Sequence, residues 1–168
     1  MPRRQPPPRL WLMTDERQGE TLWKTLERLP RGGGVVFRYY STPADERRAL
    51  FGRVRKAARR RGLVLIVAGF ERLAGDGVHN RPGRGLRTAS AHDLGELKRA
   101  ERCGAELVFL SPVFPTRSHP GSRTLGRTRF AAIARRARVP VVALGGLDAG
   151  KARGLPGAYG WAAIDAWS

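Results

Sequence analysis

The stretch Pro140-Val141-Val142-Ala143-Leu144-Gly145-Gly146-Leu147 combines a buried-strand pattern with a tight turn. Its four central apolar residues include two β-branched side chains, and two consecutive glycines follow them. A short apolar run bounded by a turn signal is typical of a strand buried on both faces. Such strands occur in parallel sheets covered by helices, so the rest of the chain should alternate strands with helices.

The same apolar pattern recurs along the chain. We expect seven more strands, at residues 10–13, 35–37, 63–67, 77–79, 86–90, 107–110 and 160–164. Apolar residues with helical spacing lie between several of these strands, such as Leu22, Leu26 and Leu29. Repeated strand–helix units form a parallel sheet with right-handed crossovers. The sequence therefore predicts an α/β fold, a TIM-type (β/α)8 parallel barrel.

Two helices of a regular barrel are expected to be missing. The residues between the fourth and fifth strands, including 81–85, are too few for a parallel crossover, which needs roughly a dozen. The chain ends at Ser168, just after the eighth strand, so the eighth helix should also be absent. The trimmed side would expose apolar surface, and a homodimer would cover it. One barrel domain over residues 10–168 should follow a flexible, basic and proline-rich segment at 1–9.

Helix boundaries carry local signals. Thr42 and Pro43 predict a cap and a first-turn proline for the second helix. Asp93 followed by Glu96 resembles a capping box for a helix that runs to about Cys103.

The charge of +18 comes mainly from arginine, because only four of the 32 basic residues are lysine. Arginine together with abundant alanine, glycine and proline is typical of a GC-rich coding bias. The arginines are spread over several predicted helices without the interleaved aromatic residues that stack on bases. We therefore expect only nonspecific, salt-sensitive binding to nucleic acid.

The single cysteine and the hydropathy pattern indicate the cellular compartment of the protein. Cys103 has no partner for an internal disulfide and should be a buried, inert thiol. The apolar run after the basic N-terminus is too short for a signal peptide, and no apolar stretch approaches the roughly 20 residues of a membrane span. These features predict a cytoplasmic protein without a membrane partner.

Ligands of parallel α/β folds bind at the carboxyl ends of the strands. The residues that follow the predicted strands are mostly polar: Asp15, Arg38, Tyr40, His79, Ser90, His92, Ser111 to His119, and the diglycine. The two glycines would let backbone N–H groups approach an anion without an intervening Cβ. The alternative is that they only close a turn after a strand. The pattern favours a phosphate site at this edge.

Residues 111–119, Ser-Pro-Val-Phe-Pro-Thr-Arg-Ser-His, together with Leu125-Gly126 and the 140–147 stretch, resemble the thiamine phosphate synthase and TenI family. The likeness extends to residues 12–15, 76–79, 90–92, 104–108 and 160–164. It implies a TIM barrel of thiamine metabolism whose partner is a small phosphorylated heterocycle. It also implies phosphate or substrate contacts at Arg38, Tyr40, Ser90, Thr116, Ser118, His119, Gly145, Gly146 and Ile164.

Several departures from the synthase pattern concern its metal. The synthase couples a pyrimidine diphosphate to a thiazole phosphate and holds Mg²⁺ with carboxylates. Ala68-Gly69 stands where the synthase has an Asn-Asp pair, and the segment with the second acid is replaced by residues 81–85. Tyr40 and His119 stand in lysine positions, and Asp165 occupies a serine position where it would repel a phosphate unless turned away. We therefore expect no metal cofactor, with Mg²⁺ needed only if the chain is a synthase.

The TenI branch of the family fits these departures better. Its members are thiazole tautomerases, which move a proton to aromatise a carboxythiazole phosphate without a metal. His92 matches the position of the family's histidine and is our predicted catalytic residue, with His79 and His119 as alternates. Two alternatives stay open, a Mg²⁺-dependent thiamine phosphate synthase and a noncatalytic protein that binds a phosphorylated ligand or nucleic acid.

Overall fold

The chain folds into a closed parallel barrel. The computed structural model describes residues 5–117, 120–165 and 167. The strands are β1 (Leu10–Met13), β2 (Gly34–Phe37), β3 (Val64–Val67), β4 (Gly77–His79), β5 (Leu86–Ala91), β6 (Leu107–Leu110), β7 (Val141–Leu144) and β8 (Gly160–Ala163). Each strand pairs in parallel with the next, and β8 pairs with β1 to close the barrel. The predicted TIM-type barrel is confirmed.

The helices lie outside the sheet between some of the strands. They are α1 (Thr21–Arg28), α2 (Ala44–Arg61), α3 (Leu94–Arg102), α4 (Gly126–Ala134) and α5 (Ala149–Ala152), and a single 3-10 turn at Glu16–Gln18 precedes α1. No helix in the described part of the chain has the length and apolar composition needed to cross a bilayer.

The barrel is shortened more than the sequence suggested. Residues 80–85 connect β4 to β5 without a helix, as predicted, but residues 68–76 between β3 and β4 also form no helix. The loop after β4 lies directly on the barrel, because a Cβ at Gly83 would sit 2.8 Å from Cγ1 of Val78. A glycine loop packed this closely covers the strand that a helix would otherwise cover.

The helix caps predicted from the sequence are only partly correct. Pro43 is the residue before α2 and no side chain caps that helix, so Thr42 does not act as its cap. The Asp93 carboxylate does accept a hydrogen bond from the Glu96 N–H at 2.8 Å. The Glu96 carboxylate, however, accepts from the backbone N–H of His92 and not from that of Asp93. Cys103 is exposed, which corrects its expected burial.

Large side chains fill the barrel interior. Trp11, Met13, Ile66, Phe109 and Val142 belong to one buried cluster. The rings of Trp11 and Phe109 meet edge to face, with their centroids 5.2 Å apart. Separate apolar clusters lie between the strands and the outer helices. The barrel interior is thus filled with side chains, and the carboxyl ends of the strands are where a parallel barrel binds its ligand.

A tryptophan near the end of the chain covers the side where an eighth helix would lie. The ring of Trp167 stacks on Trp161 of β8 at 4.6 Å, and its Nε1 donates to the Trp11 carbonyl. Among the described residues the exposed large apolar side chains are Tyr40 and Phe70, which follow β2 and β3. The trimmed side therefore presents less apolar surface than expected, and the homodimer stays a prediction.

The described part of the N-terminal segment is bonded to the barrel. The Tyr159 hydroxyl donates to the Pro7 carbonyl at 2.6 Å, and Trp11 Nε1 donates to that of Pro8 at 2.7 Å. The Arg9 guanidinium lies 4.4 Å above the Tyr159 ring. Residues 7–9 are therefore held against the barrel, which shortens the segment predicted to be flexible; residues 1–4 lie outside the described part.

Candidate functional site

A cavity of about 780 Å³ opens at the carboxyl ends of the strands. Its wall contains residues that directly follow six strands, namely Arg38 after β2, Asn80 after β4, His92 after β5, Ser111 after β6, Gly145 after β7 and Ile164 after β8. A cavity of this size suits a small organic ligand. The predicted site residues that line it are Arg38, Ser90, His92, Thr116, Gly145, Gly146 and Ile164.

The diglycine turn is shaped by the loop that follows β6. Gly145 and Gly146 have φ of 101° and 62°, in the left-handed region that favours glycine. A Cβ at Gly145 would lie 2.8 Å from Cα of Pro112, and one at Gly146 would lie 2.4 Å from the Pro115 carbonyl oxygen. The glycines are thus needed for close packing of this loop as well as for the turn. Their contact with a phosphate stays a prediction.

Backbone bonds fasten the same loop to the turn. The Val113 N–H donates to the Leu144 carbonyl at 2.9 Å, and the Phe114 N–H donates to that of Gly145 at 3.1 Å. The Ser111–Pro112 peptide is cis. The two backbone hydrogen bonds hold the start of this loop against the diglycine turn, and Thr116 further along it lines the cavity.

Arg38 places a guanidinium in the cavity wall. Its Nε donates to the Thr14 carbonyl at 2.6 Å, and its Nη2 lies 3.5 Å from Oδ2 of Asp15. Within the described chain, Nη2 is buried and has no hydrogen-bond partner. Burial lowers the pKa of Arg38, while Asp15 opposes that effect. Because an arginine stays protonated in proteins, Arg38 contributes a cationic group, partly balanced by Asp15, to this wall.

His92 is paired with a carboxylate at the cavity edge. Its Nδ1 lies 2.8 Å from Oε2 of Glu96, one helical turn away on α3. The side chain of His92 is 61% exposed. Because an ionised carboxylate only accepts hydrogen bonds, this contact places a proton on Nδ1 and leaves Nε2 of a neutral ring free to accept another. His92 and Glu96 are arranged like a general base whose ring is oriented by a carboxylate.

His79, one of the two alternates, is buried beneath the cavity. Its Nδ1 lies 2.9 Å from Oγ1 of Thr88 and its Nε2 lies 3.0 Å from Oγ of Ser90. Burial lowers the pKa of His79 to about 4, and the charge of Arg38 contributes in the same direction. The ring is therefore neutral at pH 7 and reaches the cavity only through Ser90, which lines it.

The other predicted residues are placed differently. The Tyr40 ring is 59% exposed, does not line the cavity and lies 3.8 Å from the position of a Cβ on Gly69. Its role in substrate binding stays a prediction. Ser118 and His119 lie outside the described residues, so their predicted roles also stay open.

The cavity contains further charged residues that the sequence analysis did not select. Arg117, Arg123, Lys151 and Asp148 also line it. Asp148 could have been selected from the sequence, because an aspartate is a common cap at the start of a helix; its side chain accepts a hydrogen bond from the Lys151 N–H at the start of α5. The position of Arg123 could not be predicted from the sequence, because only folding of the long loop before α4 brings this residue to the cavity.

Asp165 also lines the cavity and is paired there. Its Oδ2 lies 3.8 Å from Nη2 of Arg117, and its side chain is half-exposed. The expected repulsion of a phosphate by this carboxylate is therefore offset by the neighbouring arginine. With Arg38, Arg123 and Lys151 added, the wall carries more positive than negative side chains and favours an anion.

The end of β3, where the family's Mg²⁺ would lie, does not fit that ion. No carboxylate stands at Ala68 or Gly69, and the buried Arg47 guanidinium donates from Nη2 to the Ala68 carbonyl at 2.7 Å. Arg47 also pairs with Glu71 at 3.0 Å. In the described ranges, no group of three or more His, Cys, Asp and Glu residues could hold a metal. A cation at the end of β3 would thus meet an arginine in place of oxygen ligands.

A parallel barrel with a positively charged cavity at the carboxyl ends of its strands is the arrangement expected of a barrel protein for a small anionic ligand. Comparison with known proteins is more specific. The family described as thiamine monophosphate synthase matches residues 84–166. A relative from Aquifex aeolicus, provisionally named as a second thiamine-phosphate synthase, is 31% identical over 94% of this chain and 96% of its own length.

Two further comparisons agree. The thiamine-phosphate synthase of Methylococcus capsulatus is 30% identical over 89% of this chain and 76% of its own. The structure of the thiamine phosphate pyrophosphorylase from Pyrococcus furiosus superposes with a TM-score of 0.76 at 24% identity, covering 93% of this chain and 85% of that one. The chain belongs to the thiamine phosphate synthase/TenI family, as the resemblance implied. The family consists of enzymes of thiamine biosynthesis.

Proposed function

We propose that this protein is a metal-independent thiazole tautomerase that acts on a phosphorylated heterocycle. The observation that carries the proposal is the contact between His92 and Glu96 at the edge of a positively charged cavity. A tautomerase needs one group that takes a proton and returns it, together with contacts that hold the substrate. The His92–Glu96 contact supports the first requirement, and the charged cavity wall supports the second.

His92 is the group proposed to move the proton. Its free Nε2 takes a proton from a ring carbon of the substrate, and the electron pair left behind moves into the conjugated system. The imidazolium then returns a proton at the other end of that system, so the ring becomes aromatic and no atom is lost overall. Glu96 stabilises the imidazolium formed in between and holds the ring in place.

The remaining cavity residues hold the substrate. Thr116, the diglycine turn, Arg123 and Lys151 form the proposed phosphate end of the site. Arg38 lies across the cavity, after β2, and its buried guanidinium suits a second anionic group such as a carboxylate. Two separate cationic regions favour a ligand with two negative groups.

A thiamine phosphate synthase is the second candidate. The names of the relatives favour it as strongly as the site favours the tautomerase. Against it stands the end of β3, where Ala68 and Gly69 offer no carboxylate to hold the Mg²⁺ that would neutralise the leaving pyrophosphate, and where Arg47 donates to the Ala68 carbonyl. A noncatalytic ligand-binding protein is the third.

The decisive experiment follows aromatisation by ultraviolet absorbance, with the carboxythiazole phosphate tautomer as substrate and EDTA present. We expect His92→Asn to lose about 100-fold or more in kcat, the usual contribution of a general acid–base group. Glu96→Gln should lose less, because it removes the orienting charge and keeps the base. The matched control is Glu101→Gln, which removes a carboxylate from the same helix and should leave kcat unchanged.

The competing functions give different results. Formation of thiamine phosphate from both synthase substrates with Mg²⁺, without any tautomerase activity, would establish the synthase. Equal tautomerase rates in the wild type and His92→Asn would reject the proposed base. Binding of thiazole phosphate without either reaction would identify a noncatalytic protein.

A further inference from the structure

Arginines are concentrated at the end of the barrel that lies opposite the cavity. Because each helix runs back along the sheet, its last turn lies near the amino-terminal end of the next strand. The helices α1, α2 and α3 carry basic residues in their last turns, and Arg135 directly follows α4. Closure of the barrel therefore brings together basic residues from helices that are far apart in the sequence.

Two groups of exposed arginines lie at this amino-terminal end. In the first group, the Gly32 N–H donates to the Gly62 carbonyl at 3.0 Å, which joins the turn after α1 to the end of α2. In the second group, the Arg138 N–H donates to the Glu101 carboxylate, which joins the segment after α4 to α3. In the described part of the chain, six exposed arginines of these groups have no ion-pair or hydrogen-bond partner for their guanidinium groups. These six residues, here called the basic face, are Arg28, Arg31, Arg59, Arg102, Arg135 and Arg136.

Few carboxylates balance the charge of the basic face. Of the 14 acidic residues in the chain, those at the amino-terminal end of the barrel are Glu27, Asp76, Glu101 and Glu106. Each of these four carboxylates already contacts another residue of the chain by an ion pair or a hydrogen bond. The other acidic residues lie in the segments that follow the strands or in the first turns of helices, at the same end as the cavity. The basic face is therefore left without internal neutralisation.

Helix dipoles account for only part of this arrangement. A cation in the last turn of a helix is stabilised by the carbonyl groups there, which suits Arg28, Arg59 and Arg102. Arg31, however, lies three residues beyond α1, and Arg136 lies two residues beyond α4. A coding bias explains the choice of arginine over lysine, but it does not explain the position of these residues in the fold.

The chemistry of the basic face suits a partner with many phosphate groups. A guanidinium offers a planar fork of N–H donors that matches two phosphate oxygens at once. The exposed large apolar side chains of the described chain, Tyr40 and Phe70, lie at the other end of the barrel. Among the described residues, the basic face therefore offers no exposed large aromatic ring to stack on an unpaired base and no large apolar side chain to insert into a membrane.

We infer that the basic face binds the phosphate backbone of a nucleic-acid duplex without reading its sequence, and that the cavity at the opposite end stays open to its own ligand. Contacts to phosphate position a protein on a duplex but carry no base information. Each contact releases a counterion, so the affinity falls steeply as the salt concentration rises. The inference does not depend on which reaction takes place in the cavity.

The test measures binding of the full-length protein to two short, fluorescently labelled DNA duplexes of unrelated sequence. Fluorescence anisotropy gives Kd at salt concentrations between about 50 and 200 mM. We expect both duplexes to bind equally well. The triple variant Arg28→Gln/Arg31→Gln/Arg59→Gln should weaken binding about tenfold or more at the lowest salt concentration, and should reduce the slope of log K against log salt by about 2 to 3, because three phosphate contacts are lost. Failure of the wild type to bind at the lowest salt concentration would overturn the inference.

The matched control removes the same number of charges from the other end of the barrel. Arg17→Gln/Arg48→Gln/Arg117→Gln changes three exposed arginines that lie at the carboxyl ends of the strands. Circular dichroism checks that both triple variants keep the fold. The control should retain the affinity and the salt slope of the wild type. Equal losses in the two triple variants would overturn the inference, because net charge alone would then explain the binding.

Two competition arms distinguish the duplex from other anions. Thiazole phosphate in excess should leave the duplex bound, whereas displacement of the duplex would place it in the cavity and overturn the inference. Tighter binding to a single strand of the same length, or to vesicles of anionic phospholipid, would overturn the assignment to a duplex. If thiazole phosphate itself does not bind, the proposed function is contradicted, and the two triple variants still decide whether the basic face binds the duplex.

Discussion

Replacement of Arg47 by methionine tests how the shortened barrel holds the end of β3. The Arg47 side chain is 7% exposed, and its Cζ lies 5.1 Å from the centroid of the Phe37 ring. Its Nε donates to the Tyr39 carbonyl at 3.0 Å and its Nη2 to that of Ala68 at 2.7 Å. One side chain therefore ties the ends of β2 and β3 together, in a region where no helix follows β3.

The expected loss can be worked from these contacts. Methionine keeps the apolar stem but removes both donors, so two buried carbonyls lose their partner. A hydrogen bond from a charged group contributes about 1.5–3 kcal/mol, and neighbouring contacts are not additive. We expect Arg47→Met to lower the free energy of unfolding by about 3 kcal/mol. Arg47→Lys should also destabilise, because an ammonium cannot reproduce the planar fork of donors.

Equilibrium urea unfolding followed by tryptophan fluorescence and circular dichroism measures this loss. The control is Arg48→Met, the next residue on α2, whose exposed side chain pairs with Asp45 and Glu71. Exposed pairs contribute little, so the control should unfold close to the wild type. Equal midpoints for Arg47→Met and Arg48→Met would refute the role of Arg47 as a buried tie between β2 and β3.

Three further predictions use other parts of the structure. Gly146→Ala should weaken binding of thiazole phosphate in a calorimetric titration, because its Cβ would meet the Pro115 carbonyl; Gly154→Ala, with a similar φ of 66° and open space around it, should not. Burial of the neutral His79 ring makes the free energy of unfolding depend on pH. This contribution is fully present above the ordinary histidine pKa of 6.5. It is lost as the pH falls through about 4, the pKa in the folded state, because the unfolded chain binds the proton at a higher pH. Wild type should lose about 3 kcal/mol more than His79→Asn between pH 7 and pH 4 in urea titrations, and parallel curves would exclude this effect. Cys103 should react with a thiol reagent in the native protein as fast as in urea, whereas protection would contradict its exposure.

Much of the barrel could be predicted because buried parallel strands leave a direct trace in the sequence. Runs such as 107–110 and 141–144 are apolar throughout, since both faces of each strand are covered, and they coincide with β6 and β7. The missing connection after β4 was predictable from length alone. The absence of a helix after β3 was not, because residues 68–76 are numerous enough and only their packing on the strands shows what they form.

The candidate site was partly predictable for a similar reason. Residues that follow strands in a parallel barrel converge on one rim, so Arg38, His92 and the diglycine could be selected before their positions were known. The pairing of His92 with Glu96 was not selected, although His92 lies two residues before α3 and Glu96 lies in its first turn. Tyr40 also follows a strand, but its ring turns away from the cavity, and strand position alone does not define where a side chain points.

By itself, the sequence determined the barrel class and the family, because each depends on residue types and spacings along the chain; the absence of the metal-binding acids stays a prediction from the resemblance. Only the tertiary structure decided that Arg47 stands at the end of β3, that Arg123 and Lys151 line the same cavity as the diglycine, and that His79 contacts Ser90. These contacts join residues on different strands and loops. Their geometry depends on closure of the barrel, which brings distant segments within hydrogen-bond distance and removes the water that would otherwise solvate their polar groups.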